Sequence, residues 1–166
     1  MTAQFIVRVA RAADRPILVS FMEALQEAER ELCANRTIGA EIADPHLAYL
    51  EQLAAKQQGR IYVAESQADL LGFVVCFVDK LDDGDRHVTP SERSFGYISD
   101  LYVIPTLRKY GVGAALMAAA EQHFRELGLT VVRVSLLSSN EPAARFYSKV
   151  GYQPYEILYE KRFDRT

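Results

Sequence analysis

Apolar and polar positions follow one another along this chain in two rhythms, one of period two and one near 3.6, and their succession predicts a mixed α/β protein. Phe5 to Val9 is a short β-rich run. Asp14, Arg15 and Pro16 then give a helix cap followed by a first-turn proline. Ile17, Leu18, Phe21, Met22, Leu25 and Ala28 recur at helical spacing, with Glu23, Gln26, Glu27, Glu29 and Arg30 on the other faces, so this helix packs by one side. Asn35 to Ala43 reads as a loop around Gly39. Asp44-Pro45 repeats the cap-then-proline signal ahead of a stripe of Leu47, Leu50 and Leu53 that ends before Gly59.

Arg60 to Glu65 and Leu70 to Asp79 are β-rich runs around the polar insert Ser66-Gln67-Ala68-Asp69, which predicts a hairpin. Lys80 to Arg93, with Asp82, Asp83, Gly84, Asp85 and Pro90, is the most polar stretch and reads as a mobile loop within one domain spanning residues 1–166. Phe95 to Val103 predicts a strand, Gly111 to Leu127 an Ala-rich helix stopped by Gly128, and Val131 to Leu136 a buried strand of continuous apolar character. Strand, helix, strand in that order implies a right-handed crossover with parallel pairing. Glu141 to Val150 predicts a short helix ended by Gly151, and Tyr155 to Phe163 a final strand. Internal repeats and low-complexity segments are absent.

Composition narrows the classes. With 49% hydrophobic and 25% charged residues, a chain of 166 residues matches a soluble globular protein able to bury a core without disulfides. A net charge of −3 and no cluster of Lys and Arg argue against nucleic-acid binding. Cys33 and Cys76 lack Cys-x-x-Cys spacing and read as free, buried thiols of a reducing compartment, which implies a cytoplasmic protein. Met1 to Arg11 and the apolar runs elsewhere fall short of a membrane span, so neither signal peptide nor anchor is expected. His46, His87 and His123 are scattered without metal-ligand spacing, and no metal is assigned.

The strongest chemical signal is Asp100-Leu-Tyr-Val-Ile-Pro-Thr-Leu-Arg108-Lys-Tyr-Gly111-Val-Gly113-Ala114, a β run that passes through proline into a glycine-bearing turn and then a helix. Glycines there let successive backbone N–H groups approach an anion, and the positive end of the new helix points to the same place. A pyrophosphate fits such a cradle. A Walker loop is ruled out because Ala114 and Ala115 follow Gly113 where Lys and Ser/Thr belong, and a dinucleotide fingerprint lacks its third glycine.

This stretch resembles the cofactor loop of the GNAT acyltransferase superfamily. The resemblance continues into Asn140-Glu-Pro-Ala-Ala-Arg-Phe-Tyr147-Ser-Lys-Val-Gly151-Tyr152, similar to that superfamily's second signature, an Asn before a helix bearing Phe-Tyr and closed by Gly-Phe/Tyr. It covers residues 95 to 155 closely and implies a mixed, mostly antiparallel sheet, flanking helices and central parallel strands that splay to admit acetyl-CoA. By that resemblance the backbone N–H groups of Arg108, Lys109, Tyr110, Gly111, Val112 and Gly113 hold the pyrophosphate. Lys109 replaces a glycine common there, which the loop tolerates if its backbone angles are ordinary. Leu101 and Val103 pair with the pantetheine arm, the Val103 N–H polarises the thioester carbonyl, and Asn140 holds the arm.

The resemblance further implies an N-acetyltransferase acting on a primary amine by direct attack, closest to amine and polyamine-type members, with a small-molecule acceptor and room for a homodimer. Tyr147 then protonates the departing thiolate, since a phenol near 10 and a thiol near 8.5 are close enough to share a proton. An alkyl amine near 10.4 arrives charged, and Asp100 is the carboxylate the motif brings to the reacting centre, as amine anchor or water-relayed base. Relatives often show Glu-Asp where this chain has Ser99-Asp100. A coenzyme A-binding sensor that transfers nothing, or a protein lysine or N-terminal acetyltransferase, are the other readings. The acidic first helix, with Glu23, Glu27, Glu29 and Glu31, is a wall that would attract a cationic acceptor. Tyr97, Tyr102 and Tyr110 are candidates to line the acceptor slot, and Cys76 reads as a core thiol.

Overall fold

The structure, a computed structural model, describes residues 4–163, so the first three residues of the Met1–Arg11 run lie outside it. Its centre is β3 (Asp69–Lys80), whose run from Leu70 to Phe77 is buried on both faces. β2 (Arg60–Ser66) returns to it through a two-residue turn at Gln67 and Ala68, both at positive φ, as a tight hairpin requires. β1 (Ile6–Val9) pairs antiparallel with β2, and β4 (Ser94–Val103) antiparallel with β3. β5 (Val132–Val134) pairs parallel with β4, giving the order β1-β2-β3-β4-β5.

Helices cover both faces. α1 (Arg15–Leu32) and α2 (Gly39–Lys56) bury Leu18, Met22, Leu47 and Leu50 against Phe73, Val75 and Tyr102. On the opposite face α3 (Val112–Glu126) buries Leu116, Met117 and Phe124 against Val74, Cys76 and Ile98, with Phe146 and Tyr147 of α4 (Glu141–Lys149) packed beside them. Gly128 (φ 78) and Gly151 (φ 97) take the left-handed turn that ends α3 and α4, as their positions in the sequence suggest.

Four local expectations are corrected. Asp14 does not cap α1: its carboxylate accepts from both Nη atoms of Arg8 at 2.7 and 3.0 Å and from the Arg11 N–H at 2.6 Å. α2 begins at Gly39 rather than Asp44, with Pro45 inside it. Glu27 Oε1 takes the Gly39 N–H at 2.6 Å, supplying the first turn with a partner, and Asp44 binds Arg15 at 2.6 Å instead of capping. β5 has three residues, all half-buried, where a longer buried strand was predicted. Tyr155 to Phe163 forms no strand: Tyr155, Ile157, Leu158, Tyr159 and Phe163 are exposed, because β-propensity expresses itself only where a neighbour supplies the ladder.

Candidate active site

β4 and β5 stay paired only from Gly96 opposite Val132 to Ile98 opposite Val134, after which β4 runs on for five residues without β5. The parting starts at a bulge. Val75 pairs with Asp100 and Cys76 with Ile98, leaving Ser99 as the extra residue. Tyr97 belongs to the α1/α2 face and Ile98 to the α3 face, so strict alternation would turn Asp100 toward α3. The bulge flips that parity, and Asp100 lies opposite Val75, on the α1/α2 face.

Beyond the bulge, the Ile104 N–H bonds the Leu71 carbonyl at 2.9 Å. Alternation from that bond directs the N–H groups of Tyr102 and Asp100 toward β3 and those of Leu101 and Val103 toward the gap. The Val103 carbonyl receives Arg108 Nε at 3.1 Å. Tyr97 and Ser135 join hydroxyls at 2.6 Å across the base of the gap.

The loop at the mouth of the gap enters α3 through Gly111, at φ 88. The N–H groups of Lys109, Tyr110, Gly111, Val112 and Gly113 make no backbone hydrogen bond among the described residues, whereas that of Arg108 already serves the Pro105 carbonyl at 3.3 Å. Five successive donors thus stand at the positive end of a 15-residue helix. A Cβ at Gly111 would stand in open space, so glycine is needed there for its angle; at Gly113 it would press Phe146 Cζ at 3.2 Å. Lys109 is itself left-handed, at φ 72, so the condition of ordinary backbone angles is not met, and the conformation costs roughly 1–2 kcal/mol.

α4 presents the second motif. The Asn140 side-chain oxygen caps it by accepting from the Ala143 N–H at 3.2 Å, which leaves its amide N–H groups as the part able to face a ligand. Ser139 Oγ donates to the Leu32 carbonyl at 3.4 Å, tying the start of α4 to the end of α1. Tyr147 packs edge-on to Phe146 and Tyr152, and burial, reinforced by the Asp100 carboxylate, pushes its phenol up to about 12.

Opposite this stands a cluster the sequence did not bring together. His46 of α2 sets Nε2 3.8 Å from Asp100 Oδ1. Contact with that carboxylate raises the imidazole above its ordinary 6.5, against the opposing effect of burial, and the charge of Glu29 adds to the rise. Glu29 of α1 is half-buried, and desolvation lifts its carboxyl above the usual range; Arg36 pairs with it at 3.1 Å. The sequence signal for His46 was its place on the inner face of α2, three residues after buried Ala43 and four before buried Leu50.

Other expectations fall away from this site. Tyr102 is 8% exposed and packs on Phe21 in the core, and Tyr110 is exposed. Glu27 serves the start of α2, and His123 Nε2 meets the Gln58 carbonyl at 2.7 Å. Cys76 is a buried core thiol, pushed up to about 11 by burial, whereas Cys33 is only half-buried. Among the described residues no helix is long and apolar enough to cross a membrane.

The model of the acetyltransferase (GNAT) family matches residues 20–152, a span that includes the bulged strand, the α3 loop and α4. The chain belongs to the GNAT family. An uncharacterized N-acetyltransferase of Methanocaldococcus jannaschii is 24% identical over 110 residues, 66% of this chain and 46% of that protein. One of Archaeoglobus fulgidus is 29% identical over 100 residues, 60% of this chain and 64% of that protein. The chain therefore spans between about half and two thirds of the length of these relatives. A GCN5-related N-acetyltransferase from Ralstonia eutropha superposes with a TM-score of 0.71 at 25% identity, covering 96% of this chain and 99% of that one. The mixed five-stranded sheet with flanking helices is thus that of GNAT acetyltransferases.

Proposed function

We propose that this GNAT protein transfers an acetyl group from acetyl-CoA to a primary amine of a small molecule by direct attack, without an acetylated enzyme intermediate. What supports the reading is that β4 parts from β5 at the Ser99 bulge, that five successive N–H groups at the start of α3 make no backbone hydrogen bond among the described residues, and that the Tyr147 phenol feels the Asp100 carboxylate.

The residues present fit an anionic, pyrophosphate-bearing co-substrate. The donors of Lys109, Tyr110, Gly111, Val112 and Gly113 would hold its phosphates, and the open flank at Gly111 leaves that approach clear. When bound, acetyl-CoA supplies a thioester carbonyl as the electrophile. Leu101 and Val103 turn their N–H groups into the gap, where they would bond the extended arm as a neighbouring strand does, and Asn140 would add a side-chain amide. The Val103 N–H would meet the negative charge that develops on the carbonyl oxygen.

Tyr147 would give its proton to the departing sulfur. With the phenol at about 12 and the thiol of a released thiolate near 8.5, transfer to a thiolate that has already departed is uphill unless the nitrogen's surplus proton replaces the one the phenol gives. The proton therefore moves as the carbon–sulfur bond breaks, from a phenol already hydrogen-bonded to sulfur. The Asp100 carboxylate puts a negative charge on the acceptor side of the gap, which favours a protonated amine there, while Arg36 balances Glu29.

The test is acceptor-dependent thiol release from acetyl-CoA across polyamines, amino acids, aminoglycosides and peptides, for the wild type and Tyr147→Phe. The variant should lose about 10²-fold or more in kcat with unchanged acetyl-CoA affinity by calorimetry. Wild-type turnover by the variant would remove Tyr147 from its role. Tight acetyl-CoA binding without acceptor-dependent thiol release would favour a non-catalytic binding module.

A further inference from the structure

We infer that His46 is the base of this site, taking the proton from the acceptor's ammonium while Asp100 holds that ammonium against it. The inference rests on the acetyl-transfer reading above and deepens it. It starts from a separation: His46 Nε2 and Asp100 Oδ1 are 3.8 Å apart, too far for a hydrogen bond between them and close enough to share a third atom. A nitrogen placed about 2.9 Å from both would see them roughly 80° apart, which two N–H bonds of one ammonium can serve with modest bending. One N–H donates to the carboxylate and stays. The other donates to Nε2 and is transferred, with the imidazole's own proton on Nδ1 beforehand.

The proton count closes. The ammonium gives one proton to His46, and the neutral amine's lone pair forms the carbon–nitrogen bond. As the carbon–sulfur bond breaks, its electron pair leaves with sulfur, which takes the proton of Tyr147. The nitrogen's surplus proton returns to Tyr147, and His46 releases its proton to solvent. The products are an amide, a thiol and one proton, with no oxidant or reductant.

The groups facing His46 are consistent with this task. Asp100 reaches it from β4 and Glu29 from α1, the latter paired with Arg36; Tyr49 stacks on it from its own helix with ring centroids 6.2 Å apart. The phenol of Tyr147 on α4 feels both Asp100 and Glu29, so base and acid flank one gap. At 39% exposure the imidazole can return its proton to water, which Asp100, at 14%, is less placed to do.

His46 accepts a proton only when neutral. Turnover should therefore fall as pH drops through its folded pKa, which the Asp100 contact holds above 6.5. The experiment is the pH profile of kcat/KM for the acceptor at saturating acetyl-CoA, which reports the site with Asp100 facing His46, for wild type, His46→Gln and Asp100→Asn, with acetyl-CoA affinity and circular dichroism as fold controls. His46→Gln should lose about 10²-fold or more in kcat/KM together with the acid limb. Asp100→Asn should move the limb to lower pH and raise KM for the acceptor, and an NMR titration of the His46 imidazole should show the same displacement. If wild type turns over and His46→Gln keeps its kcat/KM, or loses rate with the limb unmoved, the inference is overturned and acetyl transfer stands. If wild type binds acetyl-CoA and acetylates no amine, both fall together.

Discussion

Gly111→Ala perturbs one of the two left-handed backbone angles of the loop before α3, the other being that of Lys109. Gly111 sits at φ 88, and a Cβ built there meets no atom within 4 Å. The cost of the substitution is therefore conformational and not steric. An L-residue in the left-handed region costs roughly 1–2 kcal/mol, and the stiffer unfolded chain returns about 0.4–1 kcal/mol, for a net loss near 1 kcal/mol. For a chain of this length that is a fall in Tm of about 2–4 °C. Asparagine tolerates the same angle better than alanine although it is larger, so Gly111→Asn should cost less. Gly113→Ala provides the contrast: its backbone is helical, its Cβ would touch Phe146 at 3.2 Å, and the gain in helix propensity offsets that crowding. Its stability should stay within about 1 kcal/mol of wild type. Urea unfolding reads the three values, and calorimetry reads acetyl-CoA affinity, which should fall most for Gly111→Ala as the loop twists to relieve the strain. A Gly111→Ala protein as stable as wild type, or an Asn variant worse than the Ala variant, would refute the reasoning.

Two further outcomes concern stability away from the loop. Arg8 bonds Asp14 and Glu65 together, and its guanidinium holds the Asp14 carboxyl below the usual carboxylate range. This stabilisation is full above the unfolded value near 3.9 and is lost as pH falls through the lower folded value. Asp14→Asn should therefore cost about 1.5–3 kcal/mol in urea at pH 7, a difference that shrinks as pH falls below the unfolded value near 3.9; a difference that stays constant as pH falls would contradict the assignment. Gly96→Ala would drive a methyl into the Phe124 ring, costing about 1–3 kcal/mol, and Phe124→Leu in the same chain should recover part of it.

The loop and α4 were legible because their chemistry is local. Glycines at fixed offsets before an Ala-rich helix, and Asn140 ahead of Phe146 and Tyr147, keep their meaning whatever surrounds them. The same residues implied the splay, although its cause, the bulge at Ser99, shows only in the register against β3. Asp44-Pro45 misled because a cap-and-proline pair reads identically at a helix start and inside one; the start was decided by Glu27 reaching the Gly39 N–H from another helix. His46 escaped because its partner, Asp100, is brought to it by packing of α2 over β4, and no spacing encodes that contact. Tyr155 to Phe163 carries strand-forming residues, yet pairing depends on a free edge in register, which sequence does not record.

The central claim is tested most directly by a single turnover with acetyl-CoA labelled in its acetyl group, followed by mass spectrometry of both the amine and the protein. Direct attack through this gap requires the label on the amine, equimolar with released thiol, and none on the protein, with Gly111→Glu showing neither label nor thiol at the same acetyl-CoA concentration. Label retained on the protein before it reaches the amine, or acetyl-CoA bound and left intact in the presence of every acceptor, would contradict the account.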